Sequence, residues 1–506
     1  MISPLVDRIL SRDPDRLAVV DDHDHCTYGE LADRARRAAG AIAGDGGSLG
    51  GLRVLLLVTP GVAWVEAFLG VVLAGGVAVP LTPLYPAPEL AALAEDADAS
   101  LAIVSDDLAD KASAFGPRVR VVRAQDLGAG PPAALAPPGP TDVAILLYTS
   151  GTTGKPKGAM LTHANLAHQA ALIGAAWGIG PHDTLLHALP MHHMHGIAIA
   201  LLPALAAGAK TRMLPRFDAL RVGRGLADAT VWMAVPTMIQ RLLEAHAAAD
   251  DRTRAAIADG ARALRLATSG SAALPVGLAA RFADLAGAIP LERFGMTEVG
   301  VAMSNPLDPT ARRPGSVGPV LPSFESRLVD DAGRDVSTGP GELLLRGPSV
   351  FSGYFRRPEA TAAAFVEGGP AGGWFRTGDL ADRAPDGFLR MLGRTSVDIL
   401  KSGGEKVSAL EVEEALRDHE AIAEVAVVGV PDATWGDRVV AVVVAARGRE
   451  AACATDAIRA WAKGRLAAYK VPREVVVVDA LPRNAMGKVV KPEIVRDLAR
   501  KAAGPG

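Results

Sequence analysis

Short apolar runs alternate with longer Ala/Leu-rich stretches through the first half of the chain. RVLLLV (53–58) and SLAIVSD (100–106) have the length and residue types of buried strands. LADRARRAAGAIAG (31–44) and WVEAFLGVVLAGG (64–76) carry the pattern of helices set between strands. The alternation predicts a layered α/β fold with largely parallel sheets. GAGPPAALAPPGP (128–140) is rich in Pro and Gly and reads as an exposed connector, followed by the strand VAILLYT (143–149).

The texture changes twice further on. From about 314 to 393, PGSVGPVLPSFESRLVD and GELLLRGPSVFSGYF carry short strands broken by Gly and Pro, which suggests a β-rich subdomain. After GRTSVDILKSGGEK (393–406) the chain reads as a compact α+β unit. SALEVEEALRDHEAI is amphipathic and starts on Ser408, with Glu411 three residues on, a capping-type start. EVAVVGV, RVVAVVVAAR and REVVVVDALP read as strands, and IRAWAKGRLAAYKVP as helix. The expected organisation is α/β: a large layered N-terminal domain (1–393), a hinge at 394–398 and a small mobile α+β C-terminal domain (399–506).

Composition narrows the function. At 506 residues the chain holds more than one core-sized unit, and 49% hydrophobic with 22% charged residues is a globular balance. A net charge of −3 leaves no basic excess for phosphate backbones, so nucleic acid is not an expected partner. The apolar stretches 68–80 and 196–209 are too short and Gly-rich to span a bilayer and read as buried helix or strand beside a turn. The start MISPLVDRILSRDPDR has no apolar run of the signal-peptide kind. Cys26 and Cys453 are far apart in sequence and fit buried thiols in a reducing compartment. These readings together predict a cytosolic, non-membrane protein.

The strongest chemical signal is YTSGTTGKPKG (148–158), directly after a predicted strand. Its three glycines free the backbone to wrap an anion. Thr149, Ser150, Thr152 and Thr153 offer hydroxyls, and Lys155 and Lys157 add positive charge. The spacing does not match a Walker A loop, because Gly151 and Gly154 are too close and Pro156 follows Lys155. By composition alone this is a flexible polar loop.

The whole string, however, resembles the phosphate-binding signature of the adenylate-forming superfamily of acyl-CoA synthetases, luciferases and adenylation domains. FGMTE (294–298), GWFRTGDL (373–380), GRTSVDILKSGGEKVSALEVE (393–413) and PRNAMGKV (482–489) resemble further segments of that superfamily, in its order. The resemblance implies ATP, Mg²⁺ and coenzyme A as ligands. It places Thr149, Ser150, Thr152, Thr153 and Lys157 on the β- and γ-phosphates. Phe294 is implied to stack on adenine, with Ser269, Gly270 and Ser271 forming the opposite wall. Thr297 is implied to contact the α-phosphate and Glu298 to hold the metal, while Asp379, supported by Arg394, takes the ribose hydroxyls. Lys488 is implied to bridge the attacking carboxylate and the α-phosphate. A rotation of the C-terminal domain would then bring Lys401, Gly403, Gly404 and Lys406 toward the thiol. The chain departs from the superfamily in carrying Ser396 at the pivot.

The acid is argued from Arg293, which stands directly before Phe294 at a position that borders the acyl pocket in this superfamily. A guanidinium left unpaired there is costly unless a second carboxylate meets it. Pairing with adjacent Glu292, facing away, is the alternative. LERFGMTEVGVAMSNPLDPTARRPGSVGPVLP and ALPMHHMHGIAIALLPALAAGA resemble the malonyl-CoA synthetase (malonate–CoA ligase) branch, although Glu405 stands where an aromatic is expected. That resemblance implies a dicarboxylic acid bound by Arg293, His193 and Ser271, with His195 nearby. A monocarboxylate–CoA ligase and a non-catalytic nucleotide-binding protein are the competing readings. Malonate and methylmalonate stay undivided at this point.

Overall fold

The computed structural model describes residues 4–502, apart from 45–46, 131, 133–137, 151–155, 338, 371, 403–404, 433 and 484–488. The chain divides into two compact units. The first comprises residues 1–274, 278–325 and 345–375, and the second comprises 275–277, 326–344 and 376–506.

The first unit contains two sheets. In the larger, eight strands lie side by side in the order Gly300–Ser304, Leu291–Met296, Leu266–Ser269, Val231–Ala234, Thr184–His187, Lys210–Met213, Leu17–Val20 and His25–Thr27. Its six inner strands are parallel, and only the two edge pairs are antiparallel. The smaller orders Arg120–Arg123, Leu101–Val104, Arg53–Leu57, Val77–Pro80, Val143–Ser150 and Pro156–Thr162. Parallel strands covered on both faces need apolar residues at every position. Val54 to Leu57 and Leu101 to Val104 are accordingly all buried.

Helix ends follow local chemistry that the apolar pattern alone does not resolve. The first expected helix starts earlier, at Tyr28, because Thr27 and Glu30 form a capping box. The second runs Val62–Leu73 and stops before Gly75, whose φ of 72° ends it. Residues 196–209 become a π-helix, His195–Leu201, followed by the α-helix Leu202–Ala207, with Gly208 left-handed beyond it.

Residues 314–393 hold the five strands Glu325–Val329, Gly341–Arg346, Phe365–Val366, Trp374–Arg383 and Leu389–Arg394, as the Gly/Pro-rich texture suggests. In the second unit a five-stranded sheet orders Glu405–Ser408, Ile399–Ser402, Gly436–Ala445 and Ile422–Asp432, with Glu474–Val477 beside Gly436–Ala445. Its two faces have separate cores. Val425, Val427, Val439, Ala441 and Val443 pack on one face, and Ala426, Val428, Val440 and Val442 on the other, with Ile494. This two-sided burial explains the unbroken apolar runs. Ser408 caps Ala409–Arg417 by accepting the Glu411 amide, but the Glu411 carboxylate takes the Lys470 ammonium at 2.6 Å. The segment IRAWAKGRLAAYKVP is helical only as Thr455–Lys463, ending at Gly464, with a 3₁₀ turn at Ala468–Lys470. No helix among the described residues is long and apolar enough to cross a membrane.

One side chain ties the first unit's later segment to its hairpin. Buried Asn165 donates to Pro348 O at 2.8 Å and Val350 O at 3.0 Å, and its Oδ1 accepts the Thr162 amide at 2.9 Å. Three groups lose their partner if that amide is removed, at about 1–3 kcal/mol each, partly relieved by relaxation. Asn165→Ala is therefore expected to destabilise the first unit by about 3 kcal/mol. Denaturant unfolding checks this; a change below about 1 kcal/mol contradicts it.

Candidate active site

The predicted phosphate segment joins two paired strands. Val143–Ser150 and Pro156–Thr162 pair antiparallel, with Thr149 opposite Lys157 and Ser150 opposite Pro156. Thr152 and Thr153, together with the Ser150 side chain, lie outside the described residues. At the stem, Thr149 Oγ1 donates to Lys157 O at 3.4 Å. Residues 352–355 run along the hairpin's edge: Met160 donates to Gly353 O, Ser352 to Met160 O, and Phe355 to Gly158 O.

That edge delivers Tyr354, which the sequence did not single out. Its ring lies 5.5 Å from the Lys157 ammonium, and its hydroxyl donates to Glu298 Oε1 at 2.8 Å. Glu298 is buried, and its carbonyl accepts the Phe351 amide at 2.8 Å. The phosphate hairpin and the acidic residue are thereby linked through one phenol. A lone tyrosine among Phe351, Phe365 and Phe375 reads as core, and these rings do pack together. Nothing in its spacing marks the hydroxyl.

Glu298 offers hard carboxylate oxygen next to this polar cluster, which is the donor chemistry of Mg²⁺. That ion takes one or two protein carboxylates and completes its shell with phosphate and water. Among the described residues no group of three or more His, Cys, Asp or Glu side chains is arranged to hold a metal alone. A single carboxylate assisted by bound phosphates fits both facts.

Phe294 and Thr297 are half-buried at and beyond the end of the strand Leu291–Met296. The register slips between Phe294 and Gly295. A Cβ on Gly295 would lie 2.1 Å from Gly300 O, so only glycine permits this close return of the chain.

Alternation along the strand sends Glu292 and Arg293 in opposite directions. Glu292 accepts the Gly315 amide at 3.0 Å. Arg293 is not turned to solvent: it is 4% exposed. Its Nε and Nη2 have no hydrogen-bond partner among the described residues. Burial lowers its pKa to about 10, so the guanidinium stays charged at neutral pH. It lies flat against the Gly270 backbone, where a Cβ would come within 2.3 Å of Cζ.

His195 lies close to it. Ser271, left-handed at φ 68°, places Oγ 3.3 Å from His195 Nδ1. Burial, and then the neighbouring Arg293, hold His195 well below the usual histidine range. Gly196 O can only accept, so His187 Nε2 donates to it at 2.8 Å, and burial brings His187 to about 4. The His192 and His193 rings lie tilted against each other, with centroids 3.8 Å apart and planes at 48°. Burial lowers His193 to about 4, and burial with the adjacent His193 lowers His192 to about 2. At neutral pH these imidazoles are uncharged, and Arg293 carries the positive charge of the cluster. Ser269, beside Gly270, is buried, and its hydroxyl has no partner among the described residues.

In the second unit, Asp379 sits opposite Arg394 in the pairing of Trp374–Arg383 with Leu389–Arg394. Arg394 Nε lies 3.2 Å from Asp379 Oδ1, and Nη1 donates to Thr377 O at 3.0 Å. Asp379 is buried beside this pair of contacts. Lys401 is exposed, and its amide is anchored on Asp437 at 2.8 Å. Gly403, Gly404, Lys488 and the Lys406 side chain lie outside the described residues.

The chain belongs to the AMP-binding enzyme family: that family's sequence profile matches residues 6–355, and that of the AMP-binding enzyme C-terminal domain matches residues 411–488. Mitochondrial malonate–CoA ligase of Mus musculus is 40% identical, the alignment covering 96% of this chain and 89% of that protein. Oxalate–CoA ligase of Arabidopsis thaliana is 32% identical over 99% of both chains. Among solved structures, ATP-bound MatB of Rhodopseudomonas palustris superposes with a TM-score of 0.89 at 35% identity, covering 100% of both chains. A malonyl-CoA ligase product complex with methylmalonyl-CoA and AMP gives 0.70 at 38% identity, covering 95% of this chain and 100% of that one.

The neutral histidines predict a pH dependence. Unfolded, each titrates near 6.5; folded, it resists protonation to well below that. Their contribution is therefore complete above about pH 6.5 and is lost as pH falls toward the folded values. Each adds a slope of about 1.4 kcal/mol per pH unit in that window. His192→Phe, which keeps an aromatic ring in place, is expected to reduce the acid-side slope of unfolding free energy by about that amount between pH 6 and 4.5. An unchanged slope contradicts a neutral buried His192.

Proposed function

We propose that the chain is an ATP-dependent malonate–CoA ligase, and that Arg293 selects the dicarboxylic acid. One observation carries the choice of acid: a buried, charged guanidinium whose Nε and Nη2 have no partner among the described residues. A monocarboxylic acid would leave that charge unpaired. A second carboxylate would meet it with charge-assisted hydrogen bonds of about 1.5–3 kcal/mol. Ser271 and His193 supply further polar contacts, and the neutral imidazoles do not compete for the anion. The malonate–CoA ligase relatives support the same reading.

One carboxylate of malonate attacks the α-phosphorus of ATP. Pyrophosphate leaves, and malonyl-adenylate remains. The thiol of coenzyme A then attacks the activated carbonyl and expels AMP. Thr149, Ser150, Thr152, Thr153 and Lys157 hold the outer phosphates, and Thr297 the α-phosphate. Phe294 stacks on adenine against the Ser269–Ser271 wall, and Asp379, oriented by Arg394, takes the ribose hydroxyls. Glu298, together with the phosphates, would hold Mg²⁺, which would supply neutralisation of the triphosphate charge. Lys488 stabilises the charge that develops as pyrophosphate departs. Residues 399–506 act as a lid that turns about 394–398 between the two half-reactions, exchanging Lys488 for the face with Lys401, Gly403, Gly404 and Lys406. Methylmalonate is an expected second substrate, because one methyl is worth only about 1–3 kcal/mol in a pocket. The cytosol is the proposed compartment, consistent with the buried free thiols Cys26 and Cys453, although the mouse relative is named as mitochondrial.

CoA-dependent AMP release tested with malonate, methylmalonate, oxalate, acetate, octanoate and benzoate is expected to be highest with malonate or methylmalonate. Arg293→Ala is expected to lower kcat/KM for malonate at least about 10²-fold, with the KM for ATP nearly unchanged. Octanoate or benzoate as best substrate would sink the dicarboxylate reading.

For Lys488→Ala the expectation is a loss of about 10²–10³ in adenylate formation, with thioester formation from supplied malonyl-adenylate retained. Equal loss in both half-reactions counts against the lid reading.

A further inference from the structure

One short segment grips Glu298 at both ends. The Phe351 amide donates to the Glu298 carbonyl at 2.8 Å, and three residues on the Tyr354 hydroxyl donates to Oε1 of the Glu298 side chain at 2.8 Å. The segment is itself seated on the strand Pro156–Thr162. Met160 accepts from the Ser352 amide at 3.1 Å and donates to Gly353 O at 3.0 Å, while Phe355 donates to Gly158 O at 2.8 Å. Tyr354 is fixed locally as well. Its amide donates to Thr361 Oγ1 at 2.9 Å, and its ring meets the buried Phe351 ring edge to face, with centroids 4.7 Å apart. Gly353, at φ 129°, passes so close to Thr361 that a Cβ would come within 2.9 Å of its Cγ2.

The kind of donor matters. A lysine or arginine at this position would hold the carboxylate oxygen more strongly, but its charge would offset the one that attracts a cation. A phenolic hydroxyl directs the oxygen and leaves the negative charge in place. The same ring also carries the Lys157 ammonium over its face, 5.5 Å from the centroid, an attraction that needs no anion. Removing the hydroxyl would leave Glu298 buried and its carbonyl still bound to Phe351, but would free the Oε1 end of the side chain from this contact.

We propose that Tyr354 is a positioning residue for Glu298: its hydroxyl sets the direction in which the carboxylate meets Mg²⁺, and so sets how strongly the cation tightens nucleotide binding. The proposal rests on the metal-holding role given to Glu298 above. Hydrogen-bond partners of metal-binding carboxylates typically matter about 10–100-fold in metal affinity or activity, which is the scale of effect expected here. Because the phenol is seated through the strand that carries Lys157, the grip on the cation and the grip on the outer phosphates share one support.

The test reads binding in place of turnover. The full chain is titrated by calorimetry with α,β-methylene-ATP, whose α–β link does not cleave, once at saturating Mg²⁺ and once in EDTA. The ratio of the two Kd values measures the cation's contribution. Tyr354→Phe, which deletes the hydroxyl and keeps the ring, is expected to weaken binding about tenfold in Mg²⁺ and less than about threefold in EDTA. A role in packing alone would weaken both alike. Glu298→Gln is expected to reduce the Mg²⁺ effect to less than about threefold, and adding Tyr354→Phe to it should change the ratio little, because the phenol acts through the carboxylate already removed. A ratio unchanged or enlarged in Tyr354→Phe, together with a collapsed ratio in Glu298→Gln, overturns the proposal and leaves the Glu298 reading intact. A full Mg²⁺ effect in Glu298→Gln overturns both. If Tyr354→Phe is insoluble, Tyr354→Leu also lacks the hydroxyl and carries the same comparison.

Discussion

The site is organised around one buried charge. Arg293 carries a full positive charge at a position almost closed to water, and His195 close to it stays neutral. His187, His192, His193 and His195 stay neutral, each held so first of all by its burial. Gly270 has no side chain because the guanidinium occupies the space one would fill. Such an arrangement is poor for stability. In the proposed function it serves discrimination, because an acid without a second anionic group would leave the cost of that charge unrelieved.

The strands that flank the proposed phosphate segment face a different problem, that of being held firmly in place. Val143–Ser150 and Pro156–Thr162 pair within a six-stranded sheet, and residues 352–355 brace the outer strand. Tyr354 then joins the lysine of the stem to Glu298 without adding charge. Asn165, reaching from the helix that follows the hairpin, holds Pro348 and Val350 and so fixes the approach to Phe351, whose amide is bound to the Glu298 carbonyl. Glu298 is thus positioned by main-chain and side-chain contacts together.

Much of this was legible in the sequence, for definite reasons. Buried parallel strands require continuous apolar runs, so 53–57 and 101–104 announced themselves. Helix ends did not, because they depend on caps and glycines outside the apolar repeat, as at Thr27 and Gly464. Arg293 was conspicuous by its charge, but its direction was not. Glu292 beside it offered an equally plausible partner until strand alternation separated the two. Tyr354 was silent, since an aromatic among aromatics has ordinary surroundings in sequence. Only folding brings the phenol to Glu298.

The π-helical turn at His195–Leu201 bears on how this pocket can change over time. All seven of its residues are buried, and it leads directly into an α-helix that starts on Leu202 and Pro203. A π turn contains one residue more than the α-helical course of the same path. Deleting a single residue there would restore the α-helix but rotate everything before it by ~100° about the axis, carrying His195 away from Ser271. Lineages of this protein can therefore vary the side chains of 195–201 to suit a new acid, but the length of the segment is locked. Divergence in substrate should proceed here by replacement and not by insertion or loss.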